Sequence, residues 1–98
     1  MEKFDDLIQS KNPVLVDFFA EWCGPCKMMK PILEDLKQQL GDDAQIVKID
    51  VDKDEDLAEL YRIQSVPTLV IFKEGEVVWR ESGVVQAKEL KAMIEKYK

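Results

Sequence analysis

Seven consecutive residues, Val14-Leu15-Val16-Asp17-Phe18-Phe19-Ala20, are apolar except for one aspartate. A strand with one face in water alternates; a nearly continuous run marks a strand buried on both faces of a parallel sheet. Directly after it the chain reads Glu21-Trp22-Cys23-Gly24-Pro25-Cys26. Over residues 25–40, Met29, Leu33, Leu36 and Leu40 then recur at helical spacing, closed by Gly41. Buried strand, short turn and amphipathic helix in that order commit the chain to an α/β fold. They also place its two cysteines, the only ones it has, at a helix N-terminus.

Similar punctuation sets out the remaining elements. Phe4, Leu7 and Ile8 share one face of a short first helix that Asn12-Pro13 ends. Residues 45–52, with Ile46 and Lys48 alternating against Val47, Ile49 and Val51, predict a second strand. A polar break then leads to a short helix carrying Leu57, Leu60 and Tyr61, which completes a βαβ unit. Thr68–Lys73, Glu74-Gly75 and residues 76–80 predict a β-hairpin with Gly75 at positive φ. A last helix is expected to bury Leu90, Met93, Ile94 and Tyr97, and Pro31 to kink the long helix. The prediction is one domain, 1–98, with a central mixed sheet of about four strands and helices on both faces. The dithiol falls at the carboxyl end of its strand, where open α/β sheets place their sites.

A helix N-terminus offers unpaired N–H groups and the positive end of the helix dipole, and both stabilise a thiolate. Cys23 sits at that end and is the better candidate for the reactive sulfur. Cys26 lies about one turn further in, within reach of ring closure and with its thiol turned inward. Pro25 suits the first helical turn, where no N–H is needed, and Gly24 is expected to let the backbone turn tightly between the sulfurs. A Cys-x-x-Cys pair beside a βαβ unit reads as a redox couple.

Other uses of two cysteines fit less well. A structural zinc needs four ligands, and a chain without histidine would have to recruit carboxylates or a second molecule. A structural disulfide across so short a loop removes little unfolded-state entropy. A cysteine nucleophile of the protease kind lacks its histidine base. No metal and no cofactor is implied.

Fourteen Lys and Arg against twenty Asp and Glu leave a net charge of −6, which argues against nucleic acid and anionic membranes as partners. No apolar stretch has the length of a membrane span, and the acidic start Met1-Glu2-Lys3-Phe4-Asp5-Asp6 is unlike a secretory signal. The expected location is cytoplasmic, where such a pair stays mostly reduced and acts catalytically.

The segment Val16-Asp17-Phe18-Phe19-Ala20-Glu21-Trp22-Cys23-Gly24-Pro25-Cys26-Lys27, followed downstream by Val66-Pro67-Thr68, resembles the thioredoxin family. The likeness runs from Phe4 to the last helix. It implies a thioredoxin-like fold and a protein-disulfide reductase: Cys23 attacks a disulfide of a target protein and Cys26 resolves the mixed disulfide. The implied partners are disulfide-containing target proteins and a thioredoxin reductase drawing on NADPH or ferredoxin. A monomer is expected.

The resemblance also implies roles for residues that pattern alone leaves open. Asp17 is either a solvent-facing carboxylate on a half-exposed strand or a buried one, costly unless paired. The resemblance implies the second, a carboxyl behind the dithiol whose raised pKa lets it take the proton of Cys26. Lys48 is either a snorkelling strand lysine or, by resemblance, the lysine near that carboxyl. An X-Pro bond is usually trans, yet Val66-Pro67-Thr68 resembles a cis-proline loop that packs on the cysteines and offers the Val66 backbone to an extended substrate. Trp22, Gly24, Pro25, Val66, Pro67 and Gly83 would form a flat apolar docking surface. Trp22 has a competing reading as a core aromatic, and Gly83 as a plain turn.

Two departures qualify the likeness. Phe19 stands where the family carries a second tryptophan. The chain also starts too late for the usual first strand, so residues 45–52 are expected at a sheet edge, with Lys48 among its protective charges. Asp17 and Lys48 are then expected to be wetter than in longer relatives, with a smaller pKa shift. Gly-Pro between the cysteines favours a reductase over a disulfide isomerase or oxidase. A thioredoxin-like binding or assembly module is the reading outside enzymology.

Overall fold

In the computed structural model, which describes residues 2–98, the apolar run becomes strand β1 (Val14–Phe19). It pairs in parallel with β2 (Gln45–Asp50) and antiparallel with β3 (Thr68–Lys73). With β4 (Glu76–Ser82) the sheet has the order β2-β1-β3-β4. Among the described residues β2 is an edge strand, as expected.

Successive strand side chains point to opposite faces, and each face of this sheet has its own core. On one face Leu15, Leu69 and Ile71 pack with Met29, Leu33, Leu36 and Leu40 of α2 (Gly24–Leu40) and with Leu90 and Ile94 of α4 (Ala87–Lys96). On the other, Val14, Val16, Phe18, Val70 and Phe72 pack with Phe4 and Ile8 of α1 (Glu2–Ile8) and Leu57 of α3 (Glu55–Leu60). Both faces of β1 and β3 are dry, which is why neither strand alternates in sequence. Tyr61, just past α3, sets its ring among Phe4, Phe18 and Phe72, with centroids 5.9, 6.2 and 5.2 Å away.

Several expectations shift in detail. β2 stops at Asp50, because the Asp52 N–H donates to Asp50 Oδ1 at 2.9 Å and turns the chain. β4 runs on to Ser82, which pairs with Thr68. Leu60 is 55% exposed, since Leu57 and Tyr61, four residues apart, take the inward positions at this end of the chain segment. Met93 and Tyr97 are half-buried, with Tyr97 just beyond the last turn of α4. α2 continues past Pro31, which lies inside the helix on its exposed side.

The hairpin turn joins the sheet to α1. Glu74 and Gly75 both have positive φ, 52° and 85°, the pattern of a two-residue type I′ turn. Their N–H groups donate to Ser10 (3.0 Å) and Ile8 (2.8 Å) carbonyls, satisfying acceptors that the end of α1 leaves open. Gly75→Ala is expected to lower stability by about 1–2 kcal/mol in urea unfolding, the usual cost of left-handed backbone in a residue with a Cβ. The added Cβ would also come 2.5 Å from the Gln9 side chain. That side chain is flexible, so Gln9→Ala in the Gly75→Ala background is expected to recover only a minor part of the loss.

Candidate active site

β1 delivers the chain to α2 through a three-residue turn, and Cys23 becomes the N-cap of that helix, with extended backbone at φ −86° and ψ 115°. Its sulfur accepts the Cys26 N–H at 3.1 Å, the role a serine or aspartate oxygen plays at other helix starts. Cys23 and Cys26 are joined as a disulfide, with Cα atoms 5.3 Å apart. In the closed ring both residues are nearly covered, Cys23 4% and Cys26 7% accessible, packed with Ala20, Phe19, Val51 and Val66, so residue exposure does not separate them. The asymmetry is electrostatic, since Cys23 Sγ receives the helix N–H. Gly24 also differs from expectation. It lies within α2, its φ is not positive, and a Cβ there would meet nothing within 4 Å, so the turn does not require a glycine.

Across from the dithiol the Val66–Pro67 peptide is cis, and the Val66 carbonyl oxygen lies 3.6 Å from Cys23 Sγ. Thr68 holds this loop: its hydroxyl donates to the Ser65 carbonyl at 2.7 Å and lies 3.0 Å from Ser82 Oγ. The Gly83 N–H donates to the Pro67 carbonyl at 2.8 Å. Pro67 itself is buried, so it underlies the surface rather than forming it. Gly24 and Pro25 are exposed, Val66 and Gly83 half-buried.

Trp22 is 72% exposed, not a core aromatic. Its indole Nε1–H donates to Asp52 Oδ2 at 2.8 Å, which fixes the ring beside a cavity of about 140 Å³ bounded by Val51, Ile63 and Val66. Asp52 carries no chemical signal in the sequence, where it is one of several acids in a polar break. Only the turn after β2 brings it to Trp22. The neighbouring Glu21–Lys53 pair, 3.7 Å apart and exposed, adds little.

Asp17 is 1% exposed, and neither carboxylate oxygen has a hydrogen-bond partner. Burial pushes its pKa up to about 6, while the opposed charge of Lys48 pulls it the other way. The expected wetness at the sheet edge stops at Lys48, which is exposed. Asp17 stays dry because β1 is an inner strand and Asp17 shares the Leu15 side of it, the side α2 covers. Lys48 pairs with Asp17 in the β1–β2 register and sets its ammonium 5.0 Å from the centroid of the Phe19 ring, a cation–π contact. A second cavity, about 200 Å³, opens between Phe19, Cys26, Lys30 and Lys48.

The family model for thioredoxin matches residues 1–96. A thioredoxin-like protein of Synechocystis sp. is 56% identical over 84 residues, which make up 86% of this chain and 80% of that one. Thioredoxin of Bacillus subtilis is 47% identical over 88 residues, 90% of this chain and 85% of its own. The solved structure of a mutant thioredoxin from Halobacterium salinarum superposes with a TM-score of 0.90 at 43% identity, covering 99% of this chain and 84% of the other. Sequence and fold agree along nearly the whole length, and the chain belongs to the thioredoxin family of thiol-disulfide oxidoreductases.

Proposed function

We propose that, in reducing the disulfides of target proteins, Cys23 is the attacking sulfur, Cys26 the resolving one and Asp17 the group that accepts the Cys26 proton. The observation that carries this reading is the single N–H···S bond: the Cys26 N–H points at Cys23 Sγ, so negative charge on the reduced pair is favoured at Cys23. Thioredoxins are themselves a standard illustration of such a stabilised thiolate.

Cys23 thiolate attacks one sulfur of the target disulfide, and the other target sulfur leaves as thiolate. Cys26 then gives its proton to ionised Asp17 and attacks Cys23 Sγ, expelling the second target sulfur and forming the Cys23–Cys26 disulfide. Two electrons pass to the target. A carboxyl with a pKa of about 6 is ionised near neutral pH and still basic enough to take a thiol proton. Lys48, across the strand from it, favours the ionised form. Trp22, Gly24, Pro25 and Val66 form the docking face, backed by Pro67 and flanked by Gly83, and the backbone of Val66 pairs with an extended target segment. A thioredoxin reductase fed by NADPH or ferredoxin returns the electrons. The protein acts as a monomer in the cytosol, where reduced dithiols persist. No described helix is long and apolar enough to cross a membrane.

Cys23→Ser is expected to abolish insulin reduction and to form no adduct. Cys26→Ser is expected to trap a mixed disulfide with insulin, seen as a mass adduct that dithiothreitol removes. Adducts on the Cys23→Ser variant instead would reverse the two roles.

Asp17→Asn is expected to slow release from the mixed disulfide by roughly 10- to 100-fold near pH 7.5, followed by quenched alkylation; positioned bases usually contribute on that scale or above. Stability should move the other way. The folded-state pKa, about 6, lies above the ordinary 3.8, so the folded chain binds this proton more tightly. Its contribution is complete below pH 3.8 and is lost as pH rises through about 6. At about 1.4 kcal/mol per tenfold in proton affinity, the loss comes to about 3 kcal/mol. Asp17→Asn, which does not titrate, is expected to gain that much on the wild type between about pH 4 and pH 8 in urea unfolding. Parallel stability curves across that range would show that Asp17 is not held in a dry site.

A further inference from the structure

The segment that brings Val66 to Cys23 starts from a strained helix end. α3 closes with two bonds, Ile63 N–H to the Ala58 carbonyl at 2.8 Å and Arg62 N–H to the Glu59 carbonyl at 3.0 Å, the paired arrangement of a Schellman motif. That motif places its left-handed residue at position 62. Glycine usually occupies it; here it is Arg62, with φ 54°.

What holds it there comes from the far edge of the sheet. Arg80 of β4 reaches across with both terminal nitrogens, Nη1 donating to the Tyr61 carbonyl and Nη2 to the Arg62 carbonyl, the latter at 2.8 Å. A guanidinium fork is suited to bridging two oxygens, and positive charge is favourable where a helix leaves its carbonyls unpaired. Four residues beyond Arg62, the Val66 carbonyl lies against Cys23 Sγ. The other end of the loop is tied to Ser82 and Gly83, so β4 and the residue after it secure the loop at both ends.

We propose that Arg80 is a positioning residue for disulfide exchange, its hold on the end of α3 fixing residues 63–66 and so the Val66 backbone beside Cys23. This rests on the docking role proposed above for Val66. Arg80 touches neither sulfur nor target; it acts through the carbonyls of Tyr61 and Arg62.

The test uses the full chain with insulin as substrate and dithiothreitol as reductant, together with amide hydrogen exchange. In Arg80→Ala, exchange at the Ile63 amide, which donates to the Ala58 carbonyl, is expected to quicken about tenfold. The KM for insulin should rise about 3- to 10-fold with kcat within about twofold, the range for losing charge-assisted bonds at an exposed site. Arg80→Lys, with one compact donor group in place of the fork, should fall between. Adding Arg62→Gly to Arg80→Ala should recover much of the KM, because glycine needs no outside hold to stay left-handed.

Unchanged exchange in Arg80→Ala would overturn the proposal and leave the docking role of Val66 standing. Faster exchange with unchanged KM would overturn the docking role, and the proposal with it. A fall in kcat alongside the rise in KM, in step with the melting temperature and unrelieved by Arg62→Gly, would overturn the proposal and reduce Arg80 to a structural tie.

Discussion

Burial of β1 on both faces is the constraint from which the site follows. With helices above and below and partner strands on each side, the strand has one exit, its carboxyl end, and the chain leaves there straight into α2. The helix N-terminus therefore lies at the rim of the sheet, and the first residue able to cap it is Cys23. The same enclosure makes Asp17 unusual, because a carboxyl on that strand has neither water nor a protein partner. One packing decision thus yields both a sulfur that receives an N–H and an acid whose proton affinity is raised.

Several local rules of stability are broken around this rim. Asp17 is an unpaired carboxyl in a dry core, and Trp22 stands 72% exposed with only its N–H anchored. Arg62 takes a conformation suited to glycine at the base of the loop that carries Val66. Such departures persist only where surrounding structure holds them. The holding groups are specific: α2 over the Asp17 face, Asp52 at the indole, Arg80 at the end of α3. Phe19 adds a contact of its own by taking the Lys48 ammonium over its ring, which keeps that charge near Asp17 without burying it.

Legibility in the sequence follows the range of the interaction. Dry strands show as unbroken apolar runs, α2 as a helical stripe and the hairpin turn as Glu74-Gly75, because each pattern repeats within a few residues. Element ends are less legible: β2 stops early where the Asp50 side chain accepts the Asp52 N–H, and Leu60 turns outward beside the inward Tyr61. Gly24 reads in the sequence as the means of a tight turn between the sulfurs, but a Cβ fits there. Nor does the sequence show that the closed ring covers both cysteines while the helix N–H goes to Cys23 Sγ.

By itself the sequence determined the α/β class, the two-sided core and the dithiol at a helix start, since these rest on periodicity and on capping between near neighbours. It left open whether Asp17 faced water or core, and whether Trp22 was a core residue. Nothing in it marked Asp52 or Arg80. Tertiary structure decided those points: a carboxyl's environment is set by the elements packed over it, and the hydrogen bonds from Trp22 to Asp52 and from Arg80 to the end of α3 span 30 and 18–19 residues. Contacts of that range leave no period in a single chain, and only the folded sheet brings their ends together.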